Sequence, residues 1–206
     1  MLENETGFAQ LNVARKTGDE RFYRNGNLLD LTLHNFWQWS ASDLVSNTTR
    51  GILAEYIVAN ALGLADGVRA AWDAFDLLTK DGIKIEVKSA AYLQSWYHKK
   101  LSAITFGIRP TRLWDASTNR LATELKRQAD IYVFCVLDHK EKDSLDSLNL
   151  DQWEFYILRA SILDEKFPTQ KTIGLGGLLK MNPCVAKYEE IARCIEQLSV
   201  EIECAS

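Results

Sequence analysis

Two carboxylates and an amine are spaced along residues 75–88 so that they could share one face of a β-hairpin. The segment reads FDLLTKDGIKIEVK and contains Asp76, Glu86 and Lys88. From position 83 onward apolar and polar residues alternate, which is typical of a strand with one buried face and places Glu86 and Lys88 on the same polar face. The intervening residues 80–82 (KDG) predict a turn, because glycine readily adopts positive φ.

The length of that turn determines which residues face each other. A three-residue turn over 80–82 sets Asp76 opposite Glu86, and the apolar residues of both strands then share the other face. A two-residue Asp-Gly turn would instead set Asp76 opposite Val87 and mix polar and apolar side chains on each face. The hydrophobic pattern therefore predicts the three-residue turn.

Two carboxylates in this arrangement are suited to binding Mg²⁺. Residues directly opposite each other have Cβ atoms roughly 5 Å apart, so Asp76 and Glu86 could hold one ion. A bound ion polarises a phosphate and lowers the pKa of a coordinated water. Lys88 lies two positions beyond Glu86, where it could hold the attacking water or neutralise charge on phosphorus. We expect Mg²⁺ at this site, with Mn²⁺ as a substitute.

Another carboxylate lies in a predicted helix that ends at Gly63. The neighbours of Glu55 three and four positions away include Ile52, Val58 and Leu62, so Glu55 lies on an apolar face. A carboxylate in such a place is costly unless it is paired, hydrogen-bonded or bound to metal. Two interpretations stay open. Glu55 contributes to the metal site, or it is an exposed glutamate at the edge of the apolar stripe or one satisfied by a core arginine.

The order of these residues resembles that of the PD-(D/E)XK nucleases, which have the restriction-endonuclease-like fold. The likeness covers about residues 43–137: a helix with Glu55, a strand ending in Asp76, and a strand with Glu86 and Lys88. It implies metal ligation by Asp76 and Glu86, catalysis by Lys88, and an accessory metal or water contact by Glu55.

The sequence departs from the motif of these nucleases at one position. Phe75 stands where the motif has proline. Asp73 is a rival for the first carboxylate, but it falls on the Phe75 face of the strand, so Asp76 is the preferred ligand.

The predicted fold class is α/β, and the resemblance implies an αβββαβ core of the restriction-endonuclease-like type with a central mixed sheet flanked by helices. The order of the elements alone would also fit other α/β folds. A single domain spans residues 1–206, with the nuclease-like core at about 43–137 and a C-terminal elaboration at about 150–206. After the hairpin, the pattern predicts strands at 104–108, 131–137 and 153–158, a helix at 120–128 and a final amphipathic helix from residue 182.

The net charge is −4, but the charges are distributed unevenly. Residues 98–127 hold seven lysines and arginines against two acids, whereas residues 138–165 hold eight acids against three bases. The basic stretch beside the candidate site is expected to face phosphates, although a solvated helix face would explain any one of its residues equally well. The predicted substrate-binding residues are Lys99, Lys100, Arg109, Arg112 and Gln128.

The composition is that of an ordinary globular protein, with 47% hydrophobic and 25% charged residues among 206. No apolar run reaches the roughly 20 residues needed to span a bilayer, and the N-terminal residues lack a signal-peptide pattern, so we expect a cytoplasmic protein without a membrane partner. The four cysteines show no C-x-x-C spacing, and Cys135 lies in the apolar run IYVFCVL. Neither zinc nor disulfides are expected, and Cys135 is expected to be a buried free thiol.

Together with its resemblance to the PD-(D/E)XK nucleases, the sequence therefore predicts a Mg²⁺-dependent DNA endonuclease, of restriction or repair type. The alternative is a catalytically inactive nucleic-acid-binding or structural protein on the same fold. A hydrolase of small phosphorylated molecules would differ in having a closed pocket. Cutting both strands of a duplex with one site per chain would favour a homodimer.

Overall fold

The computed structural model of the chain describes residues 11–69, 74–112, 114–115 and 120–203. Within these ranges no helix is long and apolar enough to cross a membrane. The helices are α1 (Leu33–Ala41), α2 (Asn47–Ala61), α3 (Ala160–Lys166), α4 (Leu175–Leu179) and α5 (Ile191–Glu203). The strands are β1 (Arg21–Arg24), β2 (Asn27–Thr32), β3 (Leu77–Leu78), β4 (Lys84–Ala91), β5 (Thr105–Gly107), β6 (Trp114–Asp115), β7 (Arg120–Leu121), β8 (Ile131–Leu137), β9 (Trp153–Arg159), β10 (Thr172–Gly174) and β11 (Cys184–Ala186).

Five of these strands form a central mixed sheet in the order β11-β9-β8-β4-β3. β4 and β8 run parallel, while the other neighbouring strands are antiparallel. Every residue of β8 is buried, which is the expected pattern for a strand covered on both faces. The predicted α/β class with a central mixed sheet is therefore confirmed.

One face of the sheet is covered by α2 and α5. Odd-numbered residues of β4, such as Ile85 and Val87, point to this side and pack with apolar residues of both helices. The N-cap of α2 is Ser46, whose side chain accepts a hydrogen bond from the Thr49 N–H, and the helix ends just before Gly63, which adopts a φ of 66°.

The opposite face of the sheet is covered by β5, β10, α3 and α4. A second hydrophobic core forms here from even-numbered residues such as Ala90 and Phe134, together with Phe106 of β5 and Leu163 of α3. Even-numbered residues of β4 point toward this layer, so Glu86 and Lys88 lie on the side opposite α2.

Two expectations about the middle of the chain are wrong. The strand predicted at 104–108 exists as β5, but it pairs with β10 in a separate two-stranded sheet instead of joining the central sheet. The helix predicted at 120–128 is absent from these residues, which the structure describes as β7 followed by bends and an isolated bridge. The reason is tertiary: the Arg127 side chain is fully buried among distant partners, and Leu125 is 61% exposed.

The C-terminal helix also starts later than expected. It begins at Ile191, because residues 184–186 form an edge strand that pairs with β9. From Ile191 onward the predicted stripe is confirmed, since Ile195, Leu198 and Ile202 pack on the core beside α2.

A disulfide joins Cys184 on β11 to Cys194 on α5, so the expectation of no disulfides is wrong. Its half-cystines are ten positions apart and belong to different elements, so only the packing of α5 against the sheet edge brings them together. Cys135 is buried and free, as predicted.

Reduction of the disulfide should destabilise the protein. The bond closes a short loop, for which the entropic contribution is roughly 2–3 kcal/mol. We expect dithiothreitol to lower the urea midpoint of the wild-type protein by a corresponding amount. The double variant Cys184→Ser, Cys194→Ser should unfold at the lower midpoint whether or not reductant is present. An identical midpoint for oxidised and reduced wild type would contradict a stabilising cross-link.

Candidate active site

The hairpin of β3 and β4 has the register that the three-residue turn predicts. Leu77 pairs with Ile85 and Leu78 with Lys84, and the same register sets Asp76 opposite Glu86. The Asp76 N–H donates a hydrogen bond of 3.0 Å to the Ile85 carbonyl, which continues the pairing beyond β3. The turn contains Gly82 at a φ of 86°.

Asp76 is held in a half-buried position against the neighbouring strand. Its Oδ2 accepts a hydrogen bond of 2.7 Å from the Val87 N–H. The pKa of Asp76 is raised to about 6, mainly by burial and secondly by the nearby Glu86 carboxylate, while the Val87 hydrogen bond acts in the opposite direction. Charging this carboxylate is therefore costly in the protein alone.

Lys88 forms an ion pair with Glu86 on the same strand face. The two side chains are 33% and 19% exposed, so the pair is only partly accessible to water. Such an arrangement keeps the Lys88 ammonium next to the two carboxylates.

These three side chains open into a cleft of about 770 Å³. On its far side stand residues of β5, β10 and the chain that follows β5, which we call the basic wall. The described residues lining the cleft are Ala74, Asp76, Glu86, Lys88, Gly107, Arg109, Thr111, Arg112, Gln128, Tyr132, Lys171 and Thr172.

The pairing of β5 with β10 builds the basic wall. Gly107 lies opposite Thr172, and the Ile108 N–H donates to the Lys171 carbonyl at 2.9 Å. This pairing places Lys171 beside the segment that carries Arg109, and both side chains are exposed along the cleft. Positive charge therefore faces the carboxylate pair across the cleft.

Arg127 fastens the basic wall to the layer below it. Its buried guanidinium donates to the carbonyls of Ile108 (2.9 Å) and Phe167 (2.7 Å) and forms an ion pair with Asp164. Although Arg127 belongs to the basic stretch seen in the sequence, it is an internal cross-link and is not available to a phosphate.

Gln128 lines the cleft, as the sequence predicted, but its amide also holds the wall together. Its Nε2 donates to the carbonyls of Thr111 and Lys126, at 3.1 and 3.2 Å, beside the bridge between these two residues.

The structure does not gather all the predicted residues in the cleft. Arg109, Arg112 and Gln128 line it, whereas Lys99 and Lys100 are exposed and are not among its described lining residues. The role of these two lysines in substrate binding stays a prediction. Asp73 lies outside the described residues.

Glu55 lies beside Asp76 but faces a second cavity. It forms a two-point ion pair with Arg69, in which the Arg69 Nη2 to Glu55 Oε1 distance is 2.8 Å. This second cavity, of about 430 Å³, is lined by Glu55, Arg69 and Asp76, among others. An arginine thus satisfies Glu55, but Arg69 is itself exposed and is not the core arginine considered from the sequence. The accessory contact of Glu55 to the metal or water stays a prediction.

Two lining residues with ionisable side chains, Tyr132 and Lys171, were not predicted from the sequence. Tyr132 lies next to Glu86 in the parallel pairing of β4 with β8, and its only signal was a hydroxyl within an otherwise apolar strand. Burial, followed by the Glu86 charge, raises the Tyr132 pKa well above its ordinary value, so the phenol stays protonated. Lys171 had no local signal, because its position depends on the distant pairing of β10 with β5.

The donor set fits a magnesium ion completed by solvent and substrate. Among the described residues no group of three or more His, Cys, Asp or Glu side chains could hold a metal. Mg²⁺ commonly binds through one or two carboxylates, keeps several waters and takes further oxygens from a phosphate. Asp76 and Glu86 meet that requirement, and a zinc-type cage of protein ligands is not formed by the described residues.

A mixed α/β fold that places two opposed carboxylates and a lysine across a cleft from a basic wall is typical of enzymes that cleave phosphodiesters. Residues 1–177 match the bacteriophage T4 endonuclease IV family, and since this match covers most of the chain, the protein belongs to that family. Membership supports a nuclease, and the matched range includes every described residue of the cleft. No curated protein shows significant sequence similarity to the chain.

The Asp76 carboxylate should make stability depend on pH. Its folded pKa of about 6 lies above the ordinary value of 3.8, so ionising Asp76 destabilises the folded state. This cost is absent below about pH 4, grows as pH rises from about 4 to about 6, and is complete above about pH 6. In EDTA, Asp76→Asn should therefore stabilise the protein by up to about 2 kcal/mol at pH 7.5 and by much less near pH 4. Urea denaturation of both proteins across this range measures the difference. A variant that is less stable than wild type at pH 7.5 would identify Asp76 as a structural carboxylate.

Proposed function

We propose that the protein is a Mg²⁺-dependent DNA endonuclease of the PD-(D/E)XK type, whose catalytic and metal-binding residues lie on a restriction-endonuclease-like core. The observation that carries this proposal is the placement of Asp76 opposite Glu86, with Lys88 following on the same face of β4. Family membership supports the endonuclease activity, and DNA is the substrate that it implies. The restriction or repair role stays a prediction.

Asp76 and Glu86 would hold the metal through their carboxylate oxygens. The bound ion would supply charge stabilisation for the phosphate and a water of lowered pKa. Occupation of the site would also remove the cost of charging Asp76, because a cation nearby favours the ionised carboxylate.

Lys88 and Tyr132 would act directly on the reacting groups. Lys88 lies on the cleft face beside Glu86, where its ammonium would hold the attacking water or donate to a non-bridging phosphate oxygen. Tyr132 would serve as a neutral hydrogen-bond donor and not as a base, since burial raises the pKa of its hydroxyl. Both groups are positioned by the pairing of β4 with β8.

The basic wall would bind the DNA backbone on either side of the reacting phosphate. Arg109, Arg112 and Lys171 are exposed along the cleft, where their charges could follow a polyanion. A hydrolase of small phosphorylated molecules would instead enclose its substrate and bury these cations. The exposed wall therefore favours a polymer as substrate.

A nucleic-acid-binding protein without turnover is the second candidate. It is favoured by one observation: Glu86 pairs with Lys88 and Glu55 with Arg69, so two of the three carboxylates are already neutralised by the protein. Metal binding distinguishes the candidates, because a nuclease must release Glu86 to the ion. In a calorimetric titration with Mg²⁺ or Mn²⁺, a nuclease should release or absorb heat as wild type, and Asp76→Asn should show no heat if these carboxylates form the site.

Removal of the Lys88 amine should impair chemistry more than binding. We expect Lys88→Ala to lower the Mg²⁺-dependent cleavage rate by roughly 100-fold or more, the usual cost of losing one donor to the transition state. Its affinity for DNA in Ca²⁺, which occupies oxygen sites, should change far less. Cleavage of plasmid, linear and single-stranded DNA, with EDTA as the blank, measures the rate.

Lys84→Ala provides a matched control for that experiment. Lys84 lies on the same strand and is exposed, but it is not among the described residues lining the cleft. Its variant should cleave at close to the wild-type rate. Wild-type protein that binds DNA and cleaves none of the three substrates with Mg²⁺ or Mn²⁺ would favour the binding protein.

The basic wall predicts a salt effect that is separate from catalysis. Lys171→Ala should weaken DNA binding in Ca²⁺ and reduce the slope of log affinity against log salt by about one. Lys99→Ala serves as the comparison, because Lys99 is exposed but stands outside the described lining of the cleft. An equal loss of slope in Lys99→Ala would show that the loop with Lys99 also contacts the DNA backbone. An unchanged slope in Lys171→Ala would show that Lys171 of the basic wall does not contact it.

A further inference from the structure

Residues 18–42 form a small unit that stands outside both hydrophobic cores. This N-terminal arm consists of β1, β2 and α1. Among the described residues, neither core includes a side chain from the arm, and α1 has no buried residue. The arm is closed by contacts within itself, including hydrogen bonds from the N–H groups of Leu33 and His34 to the carbonyls of Glu20 and Gly18.

An arm of this size is not expected to be stable without a covering surface. A two-stranded hairpin is marginal in water, and so is a helix of nine residues, because neither buries enough apolar area to offset its conformational entropy. The local signals for this structure are nevertheless strong. Thr32 and Asn35 form a capping box at the start of α1, and Asn25 and Gly26 adopt the positive φ that a tight turn requires.

The surface of the arm is unusually apolar. Eight of its large hydrophobic residues are at least 37% exposed, and Trp39 reaches 84%. They are Phe22, Tyr23, Leu28, Leu29, Leu31, Phe36, Trp37 and Trp39.

The two faces of α1 differ in how they are used. Trp37 packs against Gly18, where an added Cβ would lie 2.9 Å from its ring, and Leu33, four positions earlier, is half-buried on the same side. Phe36 and Trp39 are 45% and 84% exposed, and no described part of either core covers them. The side of Phe36 and Trp39 is therefore the face left for an external contact.

The charges of the arm argue against a nucleic acid as its occupant. The arm has Arg21 and Arg24 against Asp19, Glu20 and Asp30. Moreover, Arg21 is already engaged, since its Nη2 lies 3.8 Å from Asp30 and its Nε donates to the Leu29 carbonyl. Because the arm has fewer basic than acidic residues, its charge does not favour binding to phosphates.

The same charges suit contact with an identical surface. In a two-fold interface each residue near the axis meets its own counterpart, so a charged surface repels itself. Residues 33–42 read LHNFWQWSAS and contain no Lys, Arg, Asp or Glu, so α1 can approach a second α1 without such repulsion.

We propose that the N-terminal arm is a self-association surface, on which α1 packs through Phe36 and Trp39 against the arm of a second copy of this chain. Phe36 and Trp39, which are 45% and 84% exposed, offer roughly 200–300 Å² per protomer, because an aromatic side chain buries roughly 150–250 Å² in full. A standard interface of ~800 Å² per partner would therefore also take apolar strand residues of the arm. The surface is separate from the cleft, so self-association does not depend on the proposed enzymatic activity.

Opposite charges placed at Trp39 test this pairing directly. Sedimentation velocity of the full chain in EDTA, without DNA, should show a dimer for wild type. Trp39→Glu and Trp39→Lys should each associate roughly a hundredfold more weakly, because two like charges would meet across the axis. An equimolar mixture of the two variants should recover the dimer, which only a contact between like surfaces produces. Circular dichroism checks that each variant is folded.

Tyr97→Glu is the matched control, since Tyr97 is as exposed as Trp39 but lies outside the arm. Its dimer should sediment like wild type. The proposal is overturned by a wild type that is monomeric throughout the concentration series, by a dimer that survives Trp39→Glu, or by charge variants whose mixture stays monomeric. A monomer that loses DNA affinity with Trp39→Glu would assign the arm to nucleic acid instead. Because the readout needs neither metal nor DNA, failure of the proposed nuclease activity would leave this result unaffected.

Discussion

The pairing of β4 with two different neighbours is the constraint on which the candidate site depends. β4 runs antiparallel to β3 on one side and parallel to β8 on the other, so its register is fixed from both directions. A slip of one residue would turn Ile85 and Val87 out of the core and bury Glu86 and Lys88. Apolar burial on the α2 side therefore enforces the orientation of the polar side chains on the cleft side. Core packing, more than any polar contact, places Asp76 opposite Glu86 and Tyr132 beside it.

This placement carries an electrostatic cost that the protein only partly offsets. Two half-buried carboxylates face each other, and desolvation is the larger reason why the pKa of Asp76 is raised. The Val87 N–H stabilises the ionised form through one hydrogen bond, and Lys88 neutralises Glu86. Negative charge that is only partly compensated favours cation binding, because a cation reduces the repulsion between the Asp76 and Glu86 carboxylates. Glu55 adds less uncompensated negative charge to the site, because it is paired with Arg69.

The sequence predicted the parts of the fold that are set by local pattern. The alternation along β4, the three-residue turn and the fully apolar run of β8 each have a short-range signature, and all three were found. The helix predicted at 120–128 failed because the conformation there is decided by Arg127, whose partner Asp164 is 37 residues away. Lys171 and the Cys184–Cys194 bond were missed for the same reason: each depends on strand pairings between distant segments. The carboxylate side of the cleft comes from one short hairpin, so the local sequence pattern predicts it. The basic wall depends on the pairing of β5 with the distant β10, so the local pattern does not.

The N-terminal arm illustrates a different limit of sequence reasoning. An alternating strand and an amphipathic helix look the same in the sequence whether their apolar faces are covered by the chain's own core or by another molecule. Only the packing on the two faces of the central sheet shows that neither core, as far as the described residues form it, includes Phe36 or Trp39. Because the arm shares no core residue with the sheet, a change on its surface can alter association without shifting the register of β4. Two parts of the molecule thus have separate roles. The central sheet orients the reactive groups, and the apolar surface of the arm can bind a partner without changing that sheet.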